Sequence, residues 1–358
     1  MKMSEIEKST FVVSKSIAES NIKTMAEKAN RHNLIFRPHF KTHQSEIIGD
    51  LFKKHGIHKI AVSNIDMAHQ FIRAGFNDIF LAITYNPLQA LHLKELSKKC
   101  HLTILVESAE SLETYNQYAS RHVDVMIKTD TGYRRTGINA HDTENIAKII
   151  HQIDSLTLLN FRGFVVHNGH TYHAESKETI RAIHKESLRQ LQNLKEVFAA
   201  HEPLISIGDT PSVSICENFE GVDEIRPGNF VYYDYMQYQL GACNYEDIAA
   251  VVVAPVIAAH PERNEMVLHC GAVHLSKEQL HDANGVHYGE VSEIIDNTHF
   301  KRFDPPVFVR RLSQEHGTAN LPAGMIKNIP PGKLLAITPT HSCLTANLMK
   351  NSTVFRKD

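Results

Sequence analysis

Between about residues 33 and 240 the chain alternates eight times between a short apolar run and a longer segment of helical character. The apolar runs are Asn33–Phe36, Lys59–Ser63, Asp78–Ile83, Leu102–Glu107, Val123–Lys128, Phe161–His167, Leu204–Ile207 and Val222–Arg226. Most are rich in Ile, Val, Leu or Phe, as expected of parallel strands covered on both faces. Pro87–Lys99, Ser108–Ser120, Thr143–Gln152 and Ser176–Ala200 read as the intervening helices. Eight βα units in succession predict a closed (β/α)8 barrel over residues 20–240 rather than an open sheet. In such a barrel the functional face is built by the loops at the carboxyl ends of the strands.

The pattern changes after Gly241. "DIAAVVVAPVIAAH", "EMVLHCGAV", "VHYGEVSEII", "PVFVRRLS" and "KLLAITPTHSC" read as strands separated by Gly, Pro, Asn and Asp turns. They predict a second, mostly β domain over residues 241–358, to which "STFVVSK" within residues 1–19 adds a strand.

A chain of 358 residues is long enough for both domains, and 42% hydrophobic with 22% charged residues is ordinary for a globular protein. A net charge of −2 without a basic block gives no footprint for nucleic acid. No run approaches the roughly 18–20 apolar residues that span a bilayer, and the first residues lack the apolar core of a signal peptide. The expectation is a cytoplasmic protein with neither membrane nor nucleic acid as partner. Five scattered cysteines do not make a disulfide framework, which leaves a ligand role open to one of them.

Polar motifs collect where the barrel pattern puts strand ends. "RPHFKTH" carries Lys41 between His39 and His43 after the first run. "KTDTGYRRTG" follows the fifth, "HNGHTY" the sixth, "GDTPS" the seventh and "RPGNF" the eighth. The last two loops, with Gly208, Thr210, Gly228 and Asn229, offer backbone N–H and hydroxyl donors for a phosphate; either loop alone is an ordinary turn. A phosphate site opposite a lysine points to pyridoxal 5′-phosphate held on Lys41 as a Schiff base, against the plain alternative of a surface lysine. Charged histidines beside it, or burial, would disfavour the ammonium. Arg135 is placed to donate to the cofactor's phenolate, His167 to lie against its ring and Tyr172 to reach the phosphate. Arg226 either approaches the pyridine nitrogen or pairs with Glu224, and His167 has the alternative of a satisfied core histidine. In the β domain, "PTHSCLT" puts His341 and Cys343 at i and i+2, on one face if that segment is extended. Imidazole plus thiolate suits zinc, and two ligands leave the open positions that catalysis needs. Glu315 and His316 of "RLSQEHG" are further acid–base candidates.

Taken in order, these motifs resemble the D-serine dehydratase and D-threonine aldolase group, pyridoxal-phosphate enzymes of the alanine-racemase-like fold. The likeness runs from "RPHFKTH" through "DTGYRRTG", "HNGHTY", "GDTPS" and "EIRPGNFVYYD" to "LSQEHG" and "PTHSCLT". It implies a head-to-tail homodimer with active sites at its interface. It also implies Lys41 as the Schiff-base lysine, Arg135 on the phenolate, His167 and Tyr172 at the cofactor, Thr210 and Gly228–Asn229 at the phosphate, and His341 with Cys343 on the metal. The aldolase branch usually has aspartate at the second metal position, favouring manganese; Cys343 matches the zinc-dependent dehydratases. The chain departs from its relatives at Leu268–Leu275, "LHCGAVHL", where D-A-G or D-S-G is more usual, and this bears on the substrate.

The activity expected is elimination of water and then ammonia from a D-3-hydroxy amino acid, with Lys41 as base and zinc on the β-hydroxyl. Retro-aldol cleavage to glycine and an aldehyde uses the same groups. Racemisation needs a second base, and a non-enzymatic pyridoxal-phosphate carrier would have no use for the β domain.

Overall fold

The structure, a computed structural model, describes residues 3–356. It divides into two compact units, one formed by Ile22–Lys41 with Ser45–Gly228 and the other by Met1–Asn21, Thr42–Gln44 and Asn229–Asp358.

In the first unit eight parallel strands run Ile35–Phe36, Lys59–Val62, Asp78–Thr84, His101–Val106, Val123–Asp130, Leu159–Val166, Leu204–Ile207 and Glu224–Ile225. Each pairs with its sequence neighbours from the second strand to the eighth, and the eighth returns to the first. The ring is completed between the first and second strands by a single parallel bridge, His39 to Ala61. Ala61 makes both bonds there: its N–H donates to Pro38 O at 2.9 Å and its carbonyl accepts from Phe40 N at 2.8 Å. The first and eighth strands are two residues each, shorter than the runs Asn33–Phe36 and Val222–Arg226 that the sequence predicts. Asn33 is in a left-handed turn at φ 54°, and Pro38 and Pro227, just beyond the two strands, have no N–H with which to extend a ladder.

The helices start where side chains satisfy their first N–H groups. Ser45, Asn64, Ser108, Asp142, Ser176 and Asp209 each accept from the N–H three residues on. Thr143–Asp154 shows the packing logic, burying Ile146, Ile149, Ile150 and Ile153 on one stripe. Inside the barrel, Ala61, Phe80, Leu105, Met126 and Val165 form one packed cluster. Phe40 is fully buried against Phe52, Phe71 and Phe76, with ring centroids 4.9, 4.7 and 5.1 Å away.

The second unit is an antiparallel barrel. Ala250–His260, Glu265–Leu268, Gly317–Asn320, Phe300–Leu312, Gly289–Ile294 and Leu334–Pro339 pair in that circular order. Thr10–Ser14 adds to Ala250–His260 antiparallel and carries Thr353–Arg356 parallel on its other side. Two expectations are corrected. "EMVLHCGAV" is a strand only to Leu268; Gly271 runs so close to the Gln314 backbone that a Cβ would overlap it, and Ala272–Leu275 turns as a helix. "PTHSCLT" is not extended through Cys343, because a helix begins at Ser342 and runs to Leu348, with His341 as its N-cap residue.

Phe40→Ala should cost about 3–5 kcal/mol of barrel stability, measured by urea unfolding, because it empties the centre of the aromatic cluster.

Candidate functional site

The carboxyl ends of the barrel strands gather most of the motifs. Lys41 follows the closing bridge and is exposed, with its N–H donating to His39 Nδ1 at 3.3 Å. The loop after the fifth strand is built on Asp130, whose Oδ1 accepts from the N–H groups of Gly132 and Arg134, both at 3.0 Å. Glu107, at the end of the fourth strand, accepts from Gly137 N at 2.7 Å. So braced, the loop presents Arg135 with its guanidinium over the Tyr133 ring at 5.0 Å. Tyr133 in turn stacks on His170 and lies so near Gly169 that any side chain there would overlap its ring. A cleft of about 360 Å³ beside this loop is lined by Thr84, Tyr85, Pro87, Glu107, Ser108, Glu110 and Ser111, and includes none of the predicted residues.

His167 donates from Nδ1 to the Gly208 carbonyl, which leaves Nε2 as an acceptor. Burial pushes its pKa well below the ordinary value, and Lys41, Arg135 and Lys128 act in the same direction. The imidazole is therefore neutral, with the basic side chains of Lys41, Arg135 and Lys128 around it. Such a neighbourhood accepts an anion and disfavours a further positive charge.

Thr210 N–H donates to the Tyr172 hydroxyl at 3.3 Å. Thr210 Oγ1 and Asn168 Nδ2 are buried and have no hydrogen-bond partner. Two such polar atoms, after the sixth and seventh strands, are donors that a phosphate would satisfy. Gly208 leaves room only because it lacks a Cβ, which would lie 3.0 Å from Arg226.

Arg226 is fully enclosed. Its Nε donates to Ser206 Oγ at 2.6 Å and its Nη2 to Val166 O at 2.9 Å. Glu224 is 3.9 Å from it and instead bonds Arg37 at 2.7 Å. The ion pair that the sequence offers for Arg226 is thus mostly taken by Arg37. Burial, only partly opposed by Glu224, pulls the guanidinium down to about 10, still charged at neutral pH.

Two residues of this face lie within the quoted motifs but are given no role by them. Lys128, inside the fifth strand, is buried with Nζ donating to Thr129 O at 2.9 Å. Asp209 is buried, accepting from Thr171 Oγ1 at 3.0 Å and Ser212 N at 2.9 Å, and burial raises its pKa. Lys128 sits in an apolar run that conceals it; Asp209 shows only as a helix-capping aspartate before Thr210-Pro211.

In the β unit, His341 and Cys343 hydrogen-bond each other despite the helix start between them. Burial opposes the imidazolium, but Cys343, Asp234 and Glu278 hold it up to about 9. Among the described residues there is no cluster of three or more His, Cys, Asp or Glu side chains suited to a metal. The pair fits a soft divalent ion that keeps open positions rather than a closed structural site. The Asn229 side chain is directed to Asp234 and Ser342. Glu315 lies 3.7 Å from His269, while His316 shares a hydrogen bond with Ser313.

These features define a (β/α)8-barrel protein with a cluster of basic side chains at its mouth, and an antiparallel β barrel that carries the His341–Cys343 pair. The family model for the alanine racemase N-terminal domain matches residues 13–236, and the chain belongs to that family. A putative serine dehydratase domain matches residues 249–355. D-threo-3-hydroxyaspartate dehydratase from Delftia sp. (strain HT23) is 27% identical over 343 residues, 91% of this chain and 88% of its own. D-serine dehydratase from Dictyostelium discoideum is 28% identical over 376 residues, 96% of this chain and 92% of its own. The solved D-threo-3-hydroxyaspartate dehydratase from Delftia sp. HT23 superposes with a TM-score of 0.88 at 24% identity, covering 97% of this chain and 94% of that one. The fold is alanine-racemase-like.

Burial, reinforced by Arg226 and Arg135, brings Lys128 from 10.5 down to about 7. Between those values the unfolded chain holds a proton that the folded one lacks, so this residue makes stability rise with pH. Its penalty is complete below about 7 and gone above 10.5. Lys128→Met should therefore raise the unfolding free energy of the cofactor-free protein, measured by urea titration at about pH 6, by a few kcal/mol, and the gain should shrink toward about pH 10.

Proposed function

We propose that this protein is a pyridoxal-phosphate- and metal-dependent lyase. It removes water and then ammonia from a small D-3-hydroxy amino acid and leaves a 2-oxo acid. The observation that carries this reading is the barrel mouth, where Lys41, Arg135 and Lys128 surround a neutral His167 beside buried donors with no protein partner. The dehydratase names of the two relatives support the reaction, and the soft Cys343 thiolate supports zinc over manganese.

Lys41 would hold the cofactor. Arg135 would donate to its phenolate, while Tyr172, Thr210 and the Gly228–Asn229 backbone would bind its phosphate. Arg226 would stand toward its pyridine nitrogen. Bound pyridoxal phosphate supplies an electron sink for the pair left at Cα when the α-proton departs. Lys41, as a free amine during turnover, takes that proton. His167, kept uncharged, offers a flat ring face without adding a competing cation. A divalent ion on His341 and Cys343 supplies Lewis-acid polarisation of the β-hydroxyl. The enamine product tautomerises, and hydrolysis releases ammonia.

The wider reading has a barrel domain over residues 20–240 and a β domain from 241, a homodimer, and a cytoplasmic location. The last is supported by the scattered spacing of the five cysteines, which does not make a disulfide framework. Among the described residues, no helix is long and apolar enough to cross a membrane.

Product analysis on D-serine, D-threonine and D-3-hydroxyaspartate, with and without zinc, tests the reaction. A 2-oxo acid and ammonia are expected; glycine and an aldehyde would replace this reading with retro-aldol cleavage. Lys41→Ala should lower turnover on the order of a hundred- to ten-thousand-fold. Borohydride reduction followed by peptide mapping should label Lys41; an unlabelled Lys41 overturns its assignment.

A further inference from the structure

The Cys343 sulfur does not rest on His341 alone. Thr42, fully buried, brings Oγ1 to 3.1 Å from Sγ. Asn229, also buried, brings Nδ2 to 3.5 Å from the same atom. The amide's orientation follows from its other neighbour: Asp234 Oδ2 lies 2.5 Å away and, as a carboxylate oxygen, can only accept. One amide hydrogen is committed to Asp234, and the other is directed to Ser342 Oγ, at 3.2 Å, and to the sulfur. Asp234 is itself fixed. It is fully buried, its Oδ1 accepts from Gln237 N at 2.9 Å, and its Oδ2 accepts from the N–H of Ser342, between the two candidate ligands, at 2.9 Å.

The geometry points to Thr42 and Asn229 as positioning residues that donate to the Cys343 thiolate and aim its remaining lone pair at a bound metal. This rests on the reading that His341 and Cys343 ligate that metal. A thiolate engaging one ion retains electron density that burial leaves costly unless donors meet it. A hydroxyl and an amide on the sulfur lower that cost, limit rotation about the Cys343 side chain and reduce the charge that the sulfur gives to the metal. Thr42 is also the residue after Lys41 in the chain.

The test uses full-length protein loaded with pyridoxal phosphate, stripped of metal and titrated with Co²⁺. The wild type should show a thiolate-to-cobalt charge-transfer band that Cys343→Ser abolishes. Thr42→Val, nearly isosteric, should weaken Co²⁺ binding by about tenfold or more and move the band to lower energy. Thr42→Ser should restore both, and Asn229→Ala should change both in the direction of Thr42→Val. Should Thr42→Val not fold, Asn229→Ala carries the same prediction. If wild-type protein lacks the band, or keeps it in Cys343→Ser, the metal reading itself fails. If the band depends on Cys343 but neither its energy nor the affinity moves in Thr42→Val or Asn229→Ala, the metal reading stands and this proposal is overturned.

Discussion

Ala61 closes the barrel. Its two backbone bonds, to Pro38 O and from Phe40 N, are what joins the first strand to the second, because the first strand proper is only Ile35–Phe36. A strand that short cannot hold a ring through its own ladder. The closing segment is therefore secured from the side, by Phe40 inserted among Phe52, Phe71 and Phe76. Lys41 is the next residue. Its backbone is held by a hydrogen-bonded seam before it and an aromatic anchor beneath it, while its side chain remains exposed. That combination of a fixed root and an open tip is what the proposed role of Lys41 would require.

Beneath the mouth, buried charges divide into two kinds. Arg37 is matched by Glu224 at 2.7 Å and Asp78 at 2.5 Å, so that pairing is structural. Lys128 and Arg226 are buried with backbone carbonyls and Ser206 as their bonded partners, and both have depressed pKa values. Buried cations whose nearby carboxylates only partly offset desolvation are unfavourable in the protein alone. They become favourable when an anion arrives, and a phosphorylated, phenolate-bearing cofactor is such an anion. His167 is kept neutral mainly by its own burial, and Lys41, Arg135 and Lys128 act in the same direction.

Much of this was legible in the sequence because parallel strands buried on both faces must be apolar, and a barrel of them must place its polar loops at one end. The cores of all eight predicted barrel strands are strands in the structure, and "GDTPS" and "HNGHTY" do meet through Thr210 and Tyr172. What was not legible has particular causes. Lys128 sits within a strand run, where sequence alone cannot tell a snorkelling lysine from a buried one. Thr42 and Asp234 act on Cys343 across 301 and on Ser342 across 108 residues of chain, and nothing local to either position marks it. The i, i+2 spacing of His341 and Cys343 was read as extended, yet the side chains meet across a helix start instead.

The sequence by itself determined the repeating unit, the end of the barrel that carries chemistry and the residue types available there. Those follow from periodicity and composition, which are properties of neighbours along the chain. Tertiary structure alone decided which charges are neutralised, which histidine is kept uncharged, and which hydroxyl and amide face the sulfur. Those depend on desolvation and on distances of about 3 Å between residues far apart in the chain, and electrostatic energies at such range change steeply with small displacements.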